Sequence, residues 1–265
     1  MRIAVFQGAA KLLDPAANLA RLDRLAAACA LEQAELLIAP ELFLTGYNLG
    51  ADAPSVAEAA DGPSSREAAA IARRHRIALI YGYPEADREG VFNSAILIGS
   101  DGAILANYRK AHLFGDLERR CFAPGADIVT ARLGALTVGL AICYDIEFPE
   151  FIRALVLKGA DLIAVPTCLT PPYWEIPTTI VRARAYENQV FVAYANHVGS
   201  ERDLDYIGLS GIAGPDGRDI ARAGERNETL LFGEVDPAHY AESRSHNTYL
   251  RDRRPELYRA IVEPE

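Results

Sequence analysis

Apolar positions along this chain follow two rhythms. Over "RIAVFQGA", "AELLIAP", "RIALIYGYPE", "VFNSAILIGS" and "AILANYRK" they form short blocks or alternate with period two, as strands do. Over "DPAANLARLDRLAAACALEQ" they recur at helical spacing, with Leu19, Leu22, Ala26 and Cys29 on one stripe. Asp14 is placed to cap that helix, and Pro15 suits its first turn. The capping-box pattern Ser64-x-x-Glu67 predicts a second helix running to about His75. Asp101-Gly102 predicts a hairpin turn between the fourth and fifth of these strands. Strands follow at "IVTARLG" and "ALTVGLAIC", then a helix from about Phe148 to Lys158 closed by Gly159. "DLIAVP" reads as a strand, "IPTTIVRARAYENQ" as a helix and "VFVAYANHVG" as a strand. "GLSGIAGPDGRDI" and "TLLFGEVD" read as a late strand pair. From Pro237 the chain turns polar, with "RDRRPELYRAI" as a terminal helix.

Two early helices and two late ones, with strands between, predict one α/β domain in which each helix covers a sheet face. Several chemistries drop out at once. No G-x-G-x-x-G follows a strand, no G-x-x-x-x-G-K-[ST] occurs, and "GLSGI" misses G-x-S-x-G. Half of the 265 residues are apolar, enough for a sizeable core, and the formal charge is −9. An acidic chain is a poor phosphate-backbone binder, so no nucleic-acid partner is expected. The N-terminal stretch lacks a signal-like apolar core, and no window reaches the roughly 20 apolar residues a bilayer needs. The expectation is a cytoplasmic protein with no membrane partner. Cys29, Cys121, Cys143 and Cys168 are widely spaced, with no C-x-x-C, and the five histidines include no H-x-x-x-H pair. A metal site is not expected. Cys29 and Cys168 are assigned to packing.

Cys143 differs from them. In "ALTVGLAIC" the residues on its own face are Thr137, Gly139 and Ala141, all small, which leaves room beside the sulfur. A turn into a helix started by Pro149 follows, and its N–H groups are expected to lower the thiol pKa and to stabilise an oxyanion. A thiol nucleophile needs a base. His112 lies near a strand end, with nothing in the sequence to orient it. Glu41 after "ELLIAP" and Lys110 after "AILANYR" occupy the same kind of position as Cys143, beyond a strand's carboxyl end, where open α/β sheets bind ligands. The apolar setting "APELFLTGY" is expected to raise the Glu41 pKa toward neutrality.

In order and separation, "APELFLTGY", "NYRKAHLF" and "AICYDIEFPE" resemble the three signature segments of the nitrilase, or carbon–nitrogen hydrolase, superfamily. The similarity runs from about residue 1 to 235 and includes "YENQVFVAYANHVG" and "GPDG". It implies a four-layer αββα sandwich over residues 1–235. Residues 236–265 would form a C-terminal tail packed on the domain or on a dimer partner. It also implies a homodimer or higher homo-oligomer, no cofactor, no metal, and a catalytic set of Glu41, Lys110 and Cys143. Glu118 in "GDLERRCFAPG" fits the place of a second glutamate. By this resemblance Cys143 attacks a carbonyl, Glu41 moves protons, and the Lys110 ammonium and the Tyr144 N–H hold the oxyanion. Tyr47, Tyr144, Glu147 and Trp174 are the expected substrate contacts; Trp174, with Tyr173 and Pro171, either lines the acyl pocket or packs a surface loop.

Where relatives that act on carboxylate-bearing substrates typically carry Arg, this chain has Glu147. An unpaired carboxylate there favours an ammonium-bearing substrate. The competing reading is that Glu147 caps the next helix or pairs with Arg153. "MRIAVFQGAAKLLDPAANL", "ELFLTGYNLG" and "CYDIEFPE" further resemble the 5-aminopentanamidase and R-stereoselective amidase branches. The expected reaction is hydrolysis of a small amine-bearing primary amide, such as 5-aminopentanamide, through a thioester. Cyclic-amine carboxamides, nitriles and N-carbamoyl compounds are alternatives on the same scaffold.

Overall fold

The structure is a computed structural model and describes residues 1–263. In chain order its elements are β1 (Arg2–Gln7), α1 (Pro15–Leu31), β2 (Leu36–Ile38), α2 (Ala53–Val56), α3 (Pro63–His75), β3 (Ala78–Asp87), β4 (Gly90–Ile98) and β5 (Ile104–Arg109). Then come α4 (Gly115–Cys121), β6 (Thr130–Leu133), β7 (Leu136–Leu140), α5 (Pro149–Leu157), β8 (Leu162–Pro166), α6 (Val181–Asn188) and β9 (Phe191–Ala195). The last are β10 (Val198–Glu201), β11 (Leu204–Ile207), β12 (Gly211–Ala213), β13 (Asp219–Arg222), β14 (Thr229–Glu234), α7 (Ala241–His246) and α8 (Arg259–Val262).

Two six-stranded sheets carry the fold, in the orders β14-β1-β2-β3-β4-β5 and β13-β12-β9-β8-β7-β6. Each has a parallel centre. β1, β2 and β3 run parallel, as do β7, β8 and β9. A parallel pair needs a crossover, and α1, α3, α5 and α6 supply them. Period-two side chains sort the apolar residues into two cores. Ile3 and Val5 of β1 face the second sheet, while Ala4 and Phe6 face the α1/α3 layer. Leu36 and Ile38 divide from Leu37 in the same way on β2. Gly139 marks the opposite outer face, since a Cβ there would meet Ala160 and Leu155 beside α5 at 3.2 and 3.3 Å. The layers are therefore helices, sheet, sheet, helices, the αββα sandwich expected.

Asp14 caps α1 as predicted, its carboxylate accepting the Ala17 N–H at 3.0 Å. Ser64 does not cap α3. The N-cap is Gly62, and Ser64 lies inside the first turn, where its N–H and hydroxyl both donate to Glu58 at 2.8 Å. The cap is thus a carboxylate from the preceding loop, outside the reach of a four-residue pattern. The "late strand pair" divides between the sheets: β12 and β13 form a hairpin in the second, while β14 pairs antiparallel with β1 in the first. "VFVAYANHVG" breaks after Ala195, and its end begins the β10–β11 hairpin. Ile176–Ile180 forms a wide π-type turn before α6. After β14 the chain lies against α6 and β9: Tyr240 meets Phe191 edge-on at 5.1 Å, and the Arg244 Nε donates to the Gln189 carbonyl. No described helix is long and apolar enough to cross a membrane.

Candidate active site

The parallel strands of both sheets end on one side of the sandwich, and the residues that follow them converge there. Glu41 stands in the turn after β2. A Cβ on the neighbouring Gly82 of β3 would run into the Leu42 nitrogen and lie 2.8 Å from the Glu41 carbonyl carbon, so only glycine lets this turn approach β3. On β4 and β5, Asn93 and Lys110 continue the inward-facing rows of Ala95 and Tyr108. Glu118 projects from α4, and Cys143 opens the turn after β7.

Glu41 and Lys110 are fully buried, Glu118 is 1 % exposed and Cys143 is 8 % exposed. The Lys110 ammonium donates to Glu41 Oε1 at 2.8 Å and to Glu118 Oε1 at 2.6 Å. The Asn93 amide donates to the same Glu41 oxygen at 2.7 Å, and Glu41 Oε2 has no partner. Glu118 also accepts the Tyr47 hydroxyl at 2.8 Å and the Phe114 N–H at 2.8 Å. Burial pushes the Glu41 carboxyl up to about 7, against the pull of Lys110. Burial works against the Lys110 ammonium, but Glu118 and Glu41 outweigh it and hold its pKa well above the ordinary value. A fixed cation and a carboxylate that titrates near neutrality thus sit side by side.

Cys143 corrects two expectations. β7 ends at Leu140, so Cys143 is not the last residue of a strand; it has a left-handed backbone, φ 46°, in a tight turn running to Glu147. A β-branched or bulky residue would be strained there. The turn is braced from within. Asp145, fully buried, accepts the Tyr108 hydroxyl at 2.7 Å and the Ile142 N–H at 2.8 Å, and His112 Nδ1 lies 2.8 Å from its other oxygen. The thiol pKa is not lowered. Burial and then Glu41 raise it well above the ordinary value, and the opposing pull of Lys110 is smaller. The sulfur therefore rests as a thiol, and only with a base to take its proton could it act as a nucleophile. His112 is oriented after all, by Asp145, and stacks on Phe148 at 3.8 Å, where it supports the turn.

A cleft enclosing about 270 Å³, part of it open to solvent, is lined by Phe114, Cys143, Tyr144, Glu147, Leu169 and Tyr173, with Cys168 and Thr170 completing its wall. Of the expected substrate contacts, Tyr144 and Glu147 line it. Tyr47 does not: its hydroxyl is spent on Glu118 and its N–H on Glu201. Trp174 does not either. It is 39 % exposed, Pro171 is also exposed, and Tyr173 takes the place in the wall. Glu147 does not cap α5, whose N-cap Phe148 makes no side-chain bond, and it does not pair with Arg153. Among the described residues nothing donates a hydrogen bond to its carboxylate; Arg184 reaches only its backbone carbonyl, at 2.9 Å. Burial raises its pKa, with Lys110 and Arg184 opposing. Among the described residues no group of His, Cys, Asp and Glu is arranged to hold a metal.

Sequence reasoning missed Asn93, Asp145, His197 and Phe114. His197 is buried, with Nε2 2.7 Å from the Glu41 carbonyl and Nδ1 3.0 Å from that of Gly8. Its partners lie 156 and 189 positions away, so no local pattern could show them. Asn93 could have been found, because it continues the inward row of β4 two residues from Ala95.

The carbon–nitrogen hydrolase family model matches residues 2–245. A Pseudomonas protegens protein described as the hydrolase in the pqqF 5′ region is 48 % identical over 97 % of this chain and 90 % of its own length. An (R)-stereoselective amidase of a Pseudomonas species is 36 % identical over 96 % of this chain and 92 % of its own. The crystal structure of an amidase from a Nesterenkonia species superposes with a TM-score of 0.89 at 35 % identity, covering 98 % of this chain and 96 % of that one. A variant of that amidase, TM-score 0.88 and 36 % identical with the same coverage, shows covalent addition of the acetamide moiety of fluoroacetamide at its active-site cysteine. With the model spanning nearly the whole sequence and relatives this similar over almost their full lengths, the chain belongs to the carbon–nitrogen hydrolase family.

Proposed function

We propose that this chain is a cysteine amidohydrolase that releases ammonia from small primary amides whose acyl group carries an amine, 5-aminopentanamide being the model substrate. The observation that carries the amine is Glu147. A half-buried carboxylate with no hydrogen-bond donor among the described residues lines the same cleft as Cys143. A substrate ammonium supplies the missing donor, and a substrate carboxylate would be repelled.

The chemistry follows from the charges. Glu41 takes the Cys143 thiol proton, and its unpartnered Oε2 is the oxygen free to do so. The thiolate attacks the amide carbon. The Lys110 ammonium, with the Tyr144 N–H, balances the oxyanion. Glu41 returns the proton to the leaving nitrogen, and ammonia departs. Glu41 then deprotonates a water that cleaves the thioester, and the thiol is restored. Glu118 keeps Lys110 in place, and Tyr47 keeps Glu118 in place.

The test is ammonia release from 5-aminopentanamide, pentanamide, glutaramate and a piperidine carboxamide, with Cys143→Ala as the blank. Preference for 5-aminopentanamide over pentanamide by at least about tenfold, the worth of one charged hydrogen bond, is expected. Equal or better turnover of pentanamide or glutaramate overturns the amine reading and leaves the amidase reading standing. The likeness to an (R)-stereoselective amidase supports a second substrate, the cyclic-amine carboxamide, which also bears a basic nitrogen.

A further inference from the structure

Phe114 and Tyr173 meet across the mouth of the cleft, and they come from opposite sheets. Phe114 follows β5 of the first sheet, four residues after Lys110, and Tyr173 lies in the loop after β8 of the second. Their rings touch edge-to-face, centroids 5.7 Å apart at 88°. Phe114 also meets Tyr144 at 5.1 Å, so one ring ties the outer contact to the residue beside the nucleophile. The pair is at the surface, 36 % and 39 % exposed, while Cys143 in the same cleft is 8 % exposed. One side is anchored and the other is not. Phe114 is held by its N–H on Glu118 at 2.8 Å, whereas the Tyr173 N–H reaches only the Thr170 carbonyl at 3.4 Å, in a loop exposed from Pro171 to Glu175.

We infer that Phe114 and Tyr173 form an aromatic clasp that closes the outer end of the acyl cleft and sets the length of acyl chain the enzyme accepts. This rests on the amidase reading but not on the amine. An edge-to-face ring pair is worth a factor of roughly 2–10 in an open–closed equilibrium, so the clasp opens for entry and closes over a chain that fits beneath it. A longer chain holds the rings apart and loses both their contact and the apolar wall they make. The clasp acts on the far end of the acyl group, and its signature is therefore in KM for long chains.

The experiment is kcat and KM for neutral straight-chain primary amides, acetamide to octanamide, by ammonia release; neutral chains keep Glu147 out of the comparison. Enzymes compared are the wild type, Phe114→Leu, Tyr173→Leu, the double variant and Tyr173→Phe. In the wild type kcat/KM is expected to drop by about tenfold or more per methylene beyond a limiting length. Both leucine variants should move that limit outward by at least one methylene, read as the KM of each longer amide relative to the same enzyme's KM for acetamide. The double variant should add little to either single one, and Tyr173→Phe should keep the wild-type limit. An unchanged limit in active variants overturns the clasp alone. So does a Tyr173→Leu enzyme that loses acetamide and long amides equally, since Tyr173 is remote from the Glu118–Lys110 bonds. A wild type that releases ammonia from no amide, amine-bearing ones included, removes the amidase reading and the clasp with it.

Discussion

Glu41 and Lys110 share one carboxylate oxygen and leave the other free: Nζ lies 2.8 Å from Oε1, and the buried Oε2 has no partner. This asymmetry divides the labour within a single ion pair. One oxygen fixes the carboxylate, and the other is available for a proton.

Glu41→Gln keeps a side-chain oxygen for Asn93 and Lys110 but has no basic oxygen. Its kcat/KM is expected to fall by at least ~10³, at the upper part of the range for a lost general base. Unchanged far-UV circular dichroism would show that the loss is chemical.

Because burial holds the Glu41 pKa at about 7, kcat/KM should rise with pH through that value. The sign follows from the proposed role: the ionised form accepts the thiol proton, and the protonated form cannot. Lys110, held charged well above its ordinary range, adds no loss on the mildly alkaline side. A pH profile for a small neutral amide checks this, and an acidic limb centred near the ordinary glutamate value of about 4.3 would contradict it.

Gly82→Ala puts a methyl group where the Leu42 nitrogen lies. The Glu41 turn must shift, and a catalytic group misplaced by about 1 Å costs on the order of 10² in rate. The loss should appear in kcat, with KM for acetamide little changed.

Asp145→Asn replaces a carboxylate oxygen with an amide nitrogen among donors that already face it. One buried group loses its acceptor, at a cost of about 1–3 kcal/mol. Urea titration should show the lower midpoint, and kcat should fall with it, because the left-handed Cys143 turn loses its brace.

Glu147→Arg should reverse the charge preference. Turnover of 5-aminopentanamide relative to pentanamide should drop by about 10–100-fold, and glutaramate should gain. Burial holds the Glu147 carboxyl above its ordinary range, so the wild-type amine preference should strengthen with rising pH as the group ionises. A preference that survives the change places ammonium recognition elsewhere.

What the sequence made legible was what neighbouring residues decide together. The stripe of Leu22, Ala26 and Cys29 and the Asp14 cap lie within one helix, and both stand as read. Glu41, Lys110 and Cys143 are legible because each stands within three residues of the end of an apolar strand. Ser64 was misread because the group that caps α3 is Glu58, and a competing partner outside the pattern won. Cys143 reads as a strand end because its alternation continues past Leu140, while the Asp145 bonds that bend the chain there reach across to Tyr108 and His112. In sequence Trp174, Tyr173 and Pro171 are equal candidates for the acyl pocket, and Tyr173 is the one that lines the cleft; which way a loop points is set by packing, in this case against Phe114.

β1 has β2 on one flank and β14 on the other, and all of the second sheet lies between β1 and β14 along the chain. The halves are therefore nested. During synthesis β1 emerges first, but one of its edges stays open until Thr229–Glu234 has left the ribosome, after every strand of the second sheet. The two sheets cannot fold one after the other as separate units, and the pairing that closes the first joins residues about as far apart as this chain allows. Contacts of that separation slow folding and leave an unpaired strand edge exposed while the chain grows. A chain truncated before Thr229 would carry Glu41, Lys110 and Cys143 intact and still lack the strand that seals the sheet beneath them.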